Sequence, residues 1–170
     1  MTDRYLFTME FVLGSSADND VQSGRPPSGG SVRISTSKGV EEYSLTLFTR
    51  SVEQVLDAVL VMLRDGHGGV STHDEAYLIF ELEDEHLGHV TLCYSRDAIE
   101  DPQQRVVPRD QRSLDAVVPL PLLVDEVIAS VADLLDRIEH VNESVVEREW
   151  FRDLNADLDE VREVADEHLQ

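Results

Sequence analysis

An α+β fold is predicted for this chain of 170 residues: an antiparallel sheet of about five strands, in the order β-ββ-α-ββ-α-α, with helices packed on one face and a C-terminal helical hairpin. Two observations carry that reading. The stretch Leu122–Val141 places Val124, Val127, Ile128, Val131, Leu134, Leu135, Ile138 and Val141 at the i, i+3, i+4, i+7 spacing of one helical face. Several shorter stretches instead alternate apolar and polar residues on either side of turn-forming residues, the pattern of half-buried hairpin strands.

In chain order, residues 4–13 alternate Tyr5, Phe7, Met9, Phe11 and Leu13 against Leu6, Thr8, Glu10 and Val12, giving a strand with the first set inward. Residues 14–31 turn to Gly, Ser, Asp, Asn and Pro, with too few apolar groups to offset their ordering entropy, and are expected to form a mobile loop. Val32–Ser37 and Glu42–Phe48 flank Lys38-Gly39 as a hairpin, with Tyr43, Leu45 and Leu47 inward. Ser51-Val52-Glu53-Gln54 reads as a capping box that opens a helix carrying Val52, Val55, Leu56, Val59, Leu60 and Leu63. Asp65-Gly66 stops it, and Gly66-His67-Gly68-Gly69 is expected to be a flexible turn.

A second hairpin, Ala76–Glu83 with Leu87–Ser95, folds around Asp84-Glu85-His86. Residues 97–112 are polar and proline-marked, hence loop, and Leu114–Val118 adds a short edge strand. Pro121 suits the first position of the long helix. A break is expected at Asn142-Glu143, because the heptad of the first helix meets Arg148 and Arg152 and the apolar stripe resumes out of register at Phe151. Ser144-Val145-Val146-Glu147 then reads as a capping box for the last helix. Residues 121–169 are therefore a helical pair within a single domain, 1–170.

The charge narrows function more than the motifs do. Thirty-five acids against 14 bases leave a formal net charge of −21, and Lys38 is the only lysine. Such a surface disfavours direct contact with nucleic acid or anionic membranes, which requires basic groups. It suits either a partner with a basic surface or a solvent of concentrated salt. No stretch has the length and apolarity of a membrane span. Asp3 and Glu10 also spoil a signal-peptide reading of the N-terminus, so a cytoplasmic protein is expected. Cys93 is the only cysteine. It sits in an apolar run roughly 13 Å from His89 along a strand, so a small buried hydrophobe fits it better than an activated thiol.

Candidate chemistry is sparse. His86 and His89 form an H-x-x-H near Glu81, Glu83 and Glu85, with His67 and His73 before them, and these are the weak candidates for a metal site. A strand turn lacks the i, i+4 geometry of the helical zinc motif, so exposed polar turn residues are the stronger reading, and no cofactor is expected. Ser35-Thr36-Ser37-Lys38 matches S-x-x-K on a strand instead of a helix, where that motif has no chemistry. Asp153–Asp159 resembles a calcium loop but has Leu158 where the turn requires glycine and Val164 where the bidentate glutamate belongs.

A binding surface fits better. Residues 147–167 hold nine acids against three arginines, and Trp150 is rotated about 100° from Phe151. Glu147, Glu149, Trp150, Asp153, Asp157 and Glu160 are the candidate partner-binding residues, an aromatic flanked by acids as an anchor for a basic protein. The expected function is a non-enzymatic acidic binding protein of the inhibitor or immunity type. The alternatives are a self-associating structural or regulatory module of a salt-adapted organism, a homodimer through the C-terminal helices, and a metal-dependent hydrolase.

Overall fold

The apolar stripe that begins near Leu122 becomes the longest helix of the computed structural model, which describes residues 6–45, 47–71, 77–93 and 112–169. The element order is β1 (Phe7–Leu13), α1 (Ala17–Gln22), β2 (Gly30–Thr36), β3 (Gly39–Leu45), α2 (Phe48–Asp65), β4 (His67–Ser71), β5 (Tyr77–Leu82), β6 (Leu87–Cys93), β7 (Arg112–Pro119), α3 (Leu120–Val141), a 3-10 turn (Glu143–Glu147) and α4 (Glu149–His168). The α+β class and the C-terminal helices follow the sequence. Among the described residues the strands number seven, and they divide between two antiparallel sheets, β1-β2-β3 and β4-β5-β6-β7.

Two of the long helices, α2 and α3, each leave one sheet and pack on the other. Helix α2 follows β3 and lies on β4 and β5, while α3 follows β7 and lies chiefly on β1. One continuous apolar core results, which joins Phe11, Ile34 and Phe48 to Phe80, Leu123 and Val127. In α3 the expected stripe is buried from Val124 to Ile138, while Ile128 and Val141 are only half-buried. Its first residue is Leu120, so Pro121 occupies the second position, where the missing N–H is equally harmless.

Helix α3 also closes the outer edge of the first sheet. Glu126 Oε1 accepts from the Met9 N–H at 3.1 Å, and Arg137 Nη2 donates to the Phe11 carbonyl at 2.6 Å while its Nε faces Asp133 Oδ2 at 3.1 Å. Two side chains thus take the place of a neighbouring strand, which blunts an edge open to pairing with other chains.

Several local expectations give way to packing. Helix α2 starts at Phe48, not after the Ser51 box. Burial of the Phe48 ring outweighs the local cap signal, leaving Ser51 buried inside the helix and Leu47 exposed at its start. The expected flexible turn at residues 66–69 is instead the start of strand β4, paired His67 to Glu81 and Gly68 to Phe80. Glycine at 68 lets α2 approach, since a Cβ there would fall within 2.9 Å of backbone atoms of Ala58. The loop expected over 14–31 contains α1, with Ala17 and Val21 buried. Asp20 Oδ2 accepts from the Ser28 hydroxyl at 2.7 Å and the Ser28 N–H at 3.2 Å, and these bonds hold its carboxyl below the usual aspartate value.

The break after α3 falls at Asn142. Its Oδ1 accepts from the Ser144 N–H at 3.1 Å, and its amide donates to the Val21 carbonyl at 3.0 Å, so one side chain caps the turn and ties it to α1. The expected Ser144 box lies inside this 3-10 turn, which Asn142 caps, and α4 begins at Glu149 without a side-chain cap. The expectations for Tyr5, His73 and residues 97–111 lie outside the described residues.

Candidate functional site

Helix α4 spends its apolar stripe inside the chain. Phe151, Leu154, Leu158 and Val161 are buried, and the helix packs on both α2 and α3. Its polar flank therefore lies beside α2. Glu149, Asp153, Asp157 and Glu160 fall within an arc of about 80° on that flank. Helix α2 presents Glu53 and Asp57 one turn apart on the facing side, and the two helices frame a groove of about 310 Å³ lined by Glu53, Asp57, Asp157 and Glu160 together with Arg50.

The groove is electrostatically loaded. Burial pushes the Glu53 carboxyl above the usual glutamate value, helped by the nearby charges of Asp157 and Asp153 and opposed by Arg50. Burial likewise raises Asp157, with Glu160, Asp153 and Asp57 adding to it. Arg64 Nη2 pairs with Glu160 Oε1 at 3.3 Å, so cationic compensation reaches this end of the groove from α2.

A carboxyl whose folded-state pKa lies above its unfolded value binds its proton more tightly in the fold. Its ionisation opposes folding, and the loss sets in as pH rises above about 4, the ordinary carboxylate value, and through the raised folded one. Glu53→Gln and Asp157→Asn are therefore expected to stabilise the protein at neutral pH, each by about 0.5 kcal/mol. The gain should shrink towards pH ~4 and in high salt. Denaturant midpoints at the two pH values check this; a loss of stability in both variants at neutral pH would refute it.

The remaining candidates are placed differently. Glu147 ends the 3-10 turn and Glu149 opens α4, and both are exposed. Trp150 is half-buried: its Nε1–H donates to the Gly24 carbonyl at 3.1 Å, and its ring meets Phe151 edge-on at 5.8 Å. The Arg148 guanidinium covers Gly24, whose φ of +79° already favours glycine. The indole thus fastens the segment after α1, and the acids at 153, 157 and 160 are the part of the candidate set that converges. The sequence marks neither Glu53 nor Asp57 as a binding residue, and Glu53 reads there only as part of a capping box. Their only shared signal is a pair of acids at i, i+4, which any solvated helix face displays.

The histidines do not meet as H-x-x-H suggests. His86 is exposed in the β5–β6 turn, where its N–H donates to Asp84 Oδ1 at 2.7 Å. His89 lies on β6 with Nδ1 at 2.9 Å from Glu83 Oε1 and Nε2 against Asp115 Oδ1, so a carboxylate faces each ring nitrogen. His67 Nε2 faces Glu81 Oε1 at 3.5 Å on the neighbouring strands. Among the described residues, no group of three His, Cys, Asp or Glu side chains is arranged to hold a metal ion. Nor, among them, is any helix long and apolar enough to cross a membrane. No protein-family model, curated protein or solved structure matches the chain.

Proposed function

We propose that this chain is a non-enzymatic acidic binding protein that docks a partner protein with a basic surface, with an inhibitor or immunity-type protein as its concrete form. One observation carries the reading. Four carboxylates from two helices, Glu53, Asp57, Asp157 and Glu160, line one groove with the charge of Asp153 close by, and burial together with mutual repulsion holds two of them above their ordinary pKa. A cationic partner relieves that repulsion. Part of its binding energy is then stored in the free protein, and a negative field steers the encounter.

The test uses the two substitutions that should stabilise the fold. The full chain is used to recover a basic protein from source-cell lysate at native ionic strength, and the affinity of the purified pair is measured by calorimetry at low and high salt. The double variant Glu53→Gln/Asp157→Asn should bind about tenfold more weakly while being at least as stable as the parent, so weaker binding cannot be ascribed to misfolding. Equal affinity of parent and variant for the recovered protein would remove the groove from the interface. Affinity that does not change with salt would remove the electrostatic reading altogether.

A further inference from the structure

A second concavity lies beyond the groove, where the C-terminal ends of α2 and α4 meet the β5–β6 turn and the start of α3. It is an open cleft of about 740 Å³ with an apolar floor of Leu63, Leu82, Leu120 and Leu169. Its walls are tied together, because the His86 carbonyl accepts from the Leu120 N–H at 2.8 Å and so fixes the turn against α3. Gly66 ends α2 in the left-handed conformation with φ +88°, and its carbonyl accepts from the Leu82 N–H at 2.9 Å, which secures the floor from the other side.

The rim carries two carboxylates, Asp84 and Glu85, and the His168 imidazole. His168 Nδ1 lies 2.9 Å from the Val164 carbonyl, which can only accept, so Nδ1 is the donor and the ring is fastened to the last turn of α4. Asp84 uses Oδ1 to receive the N–H groups of His86 and Leu87 at 2.7 and 2.9 Å, and adjacent Glu85 is exposed. An apolar floor bordered by two carboxylates is complementary to a ligand that pairs an apolar body with N–H donors of positive charge.

We propose that this cleft is a peptide-docking site that takes an aliphatic or aromatic side chain lying next to an arginine or lysine of the partner protein. The proposal rests on the docking function above and adds the anchor that charge alone does not supply: the apolar side chain enters the cleft and the cation meets Glu85 and Asp84 at its edge. A groove of acids attracts any basic surface, whereas an apolar cleft beside it discriminates between them.

The probes are two short blocked peptides, acetyl-Phe-Arg-Phe-Arg-amide and acetyl-Phe-Glu-Phe-Glu-amide, with acetyl-Phe-Gln-Phe-Gln-amide as the neutral control. Each is titrated into the full chain and followed by amide NMR. The basic peptide should give saturable shifts at Leu82, Glu85, Leu120 and Leu169. The neutral peptide should bind about tenfold more weakly and the acidic one not at all. Glu85→Lys, an exposed turn substitution, should weaken the basic peptide about tenfold without altering the spectrum of the core.

Shifts confined to Asp57 and Asp157 would overturn the cleft while leaving the groove in place. No shift anywhere up to millimolar peptide would count against both. Equal binding of basic and neutral peptides would overturn the role of the rim. Shifts in the cleft on raising protein concentration alone would make a second copy of the chain the occupant, which also overturns the proposal.

Discussion

Phe48→Ala is expected to cost about 3–5 kcal/mol of folding stability, the range for deleting a fully buried aromatic ring. The ring joins parts of the chain that are remote in sequence. It opens α2, meets Phe11 of β1 edge-on with centroids 6.2 Å apart, and lies over Gly30 of β2, where a Cβ would come within 2.6 Å of its edge. Removing it opens a void that the β1–β2 pair cannot close, because Gly30 has no side chain to move inward. It also frees the first turn of α2, which has no side-chain cap to hold it. Phe48→Leu retains most of the apolar volume and should cost less than about 1.5 kcal/mol. Denaturant unfolding at fixed ionic strength separates the two. A loss for Phe48→Ala below about 1 kcal/mol, with an unchanged slope, would mean that the ring is not the junction described here.

Gly68→Ala is expected to cost about 1–3 kcal/mol, against the usual direction of such a change. Alanine in place of glycine ordinarily stabilises an extended position by restricting the unfolded chain. Here the added Cβ would press on the carbonyl oxygen of Ala58 and lie 2.8 Å and 2.9 Å from its C and Cα atoms. Backbone cannot rotate out of the way as a side chain can, so α2 would have to lift off β4. The comparison is Gly29→Ala, a position with no heavy atom within 4 Å of the added carbon. That variant should stay within about 0.5 kcal/mol of the parent. Equal effects at both positions would show that α2 does not approach β4 so closely.

These two residues also mark where local sequence stops being informative. Phe48 ends the run that reads as the second hairpin strand, and the nearby helix-start signal, the Ser51 box, points three residues further on. It is helical because its ring is buried against Phe11, 37 positions earlier in the sequence. Gly68 lies in a run of three glycines and a histidine that has no periodicity, since glycine contributes no apolar face. The strand there exists because α2 needs a place to lie, and that requirement arises only when the sheet is assembled.

The same division holds for the candidate site. The acids of α4 and the unusual net charge are legible one residue at a time, and so is the break between α3 and α4, where the apolar register slips. That Glu53 and Asp57 face Asp157 and Glu160 is not, because it depends on how α2 and α4 are laid against each other across about 100 residues of chain. Trp150 is instructive in the opposite direction. An aromatic among acids reads as an anchor, yet its N–H is taken up by the Gly24 carbonyl, a partner 126 positions away.

Period and charge are properties of short windows, and from them the chain alone settles that it is α+β, that its strands pair antiparallel in hairpins, and that its last two helices are separated at Asn142. Contacts between distant windows settle the rest. The division of the described strands into two sheets, the crossing of α2 and α3 each to the opposite sheet, and the capping of the β1 edge by Glu126 and Arg137 all come from burying every apolar face at once. That condition belongs to the assembled core and to no single segment.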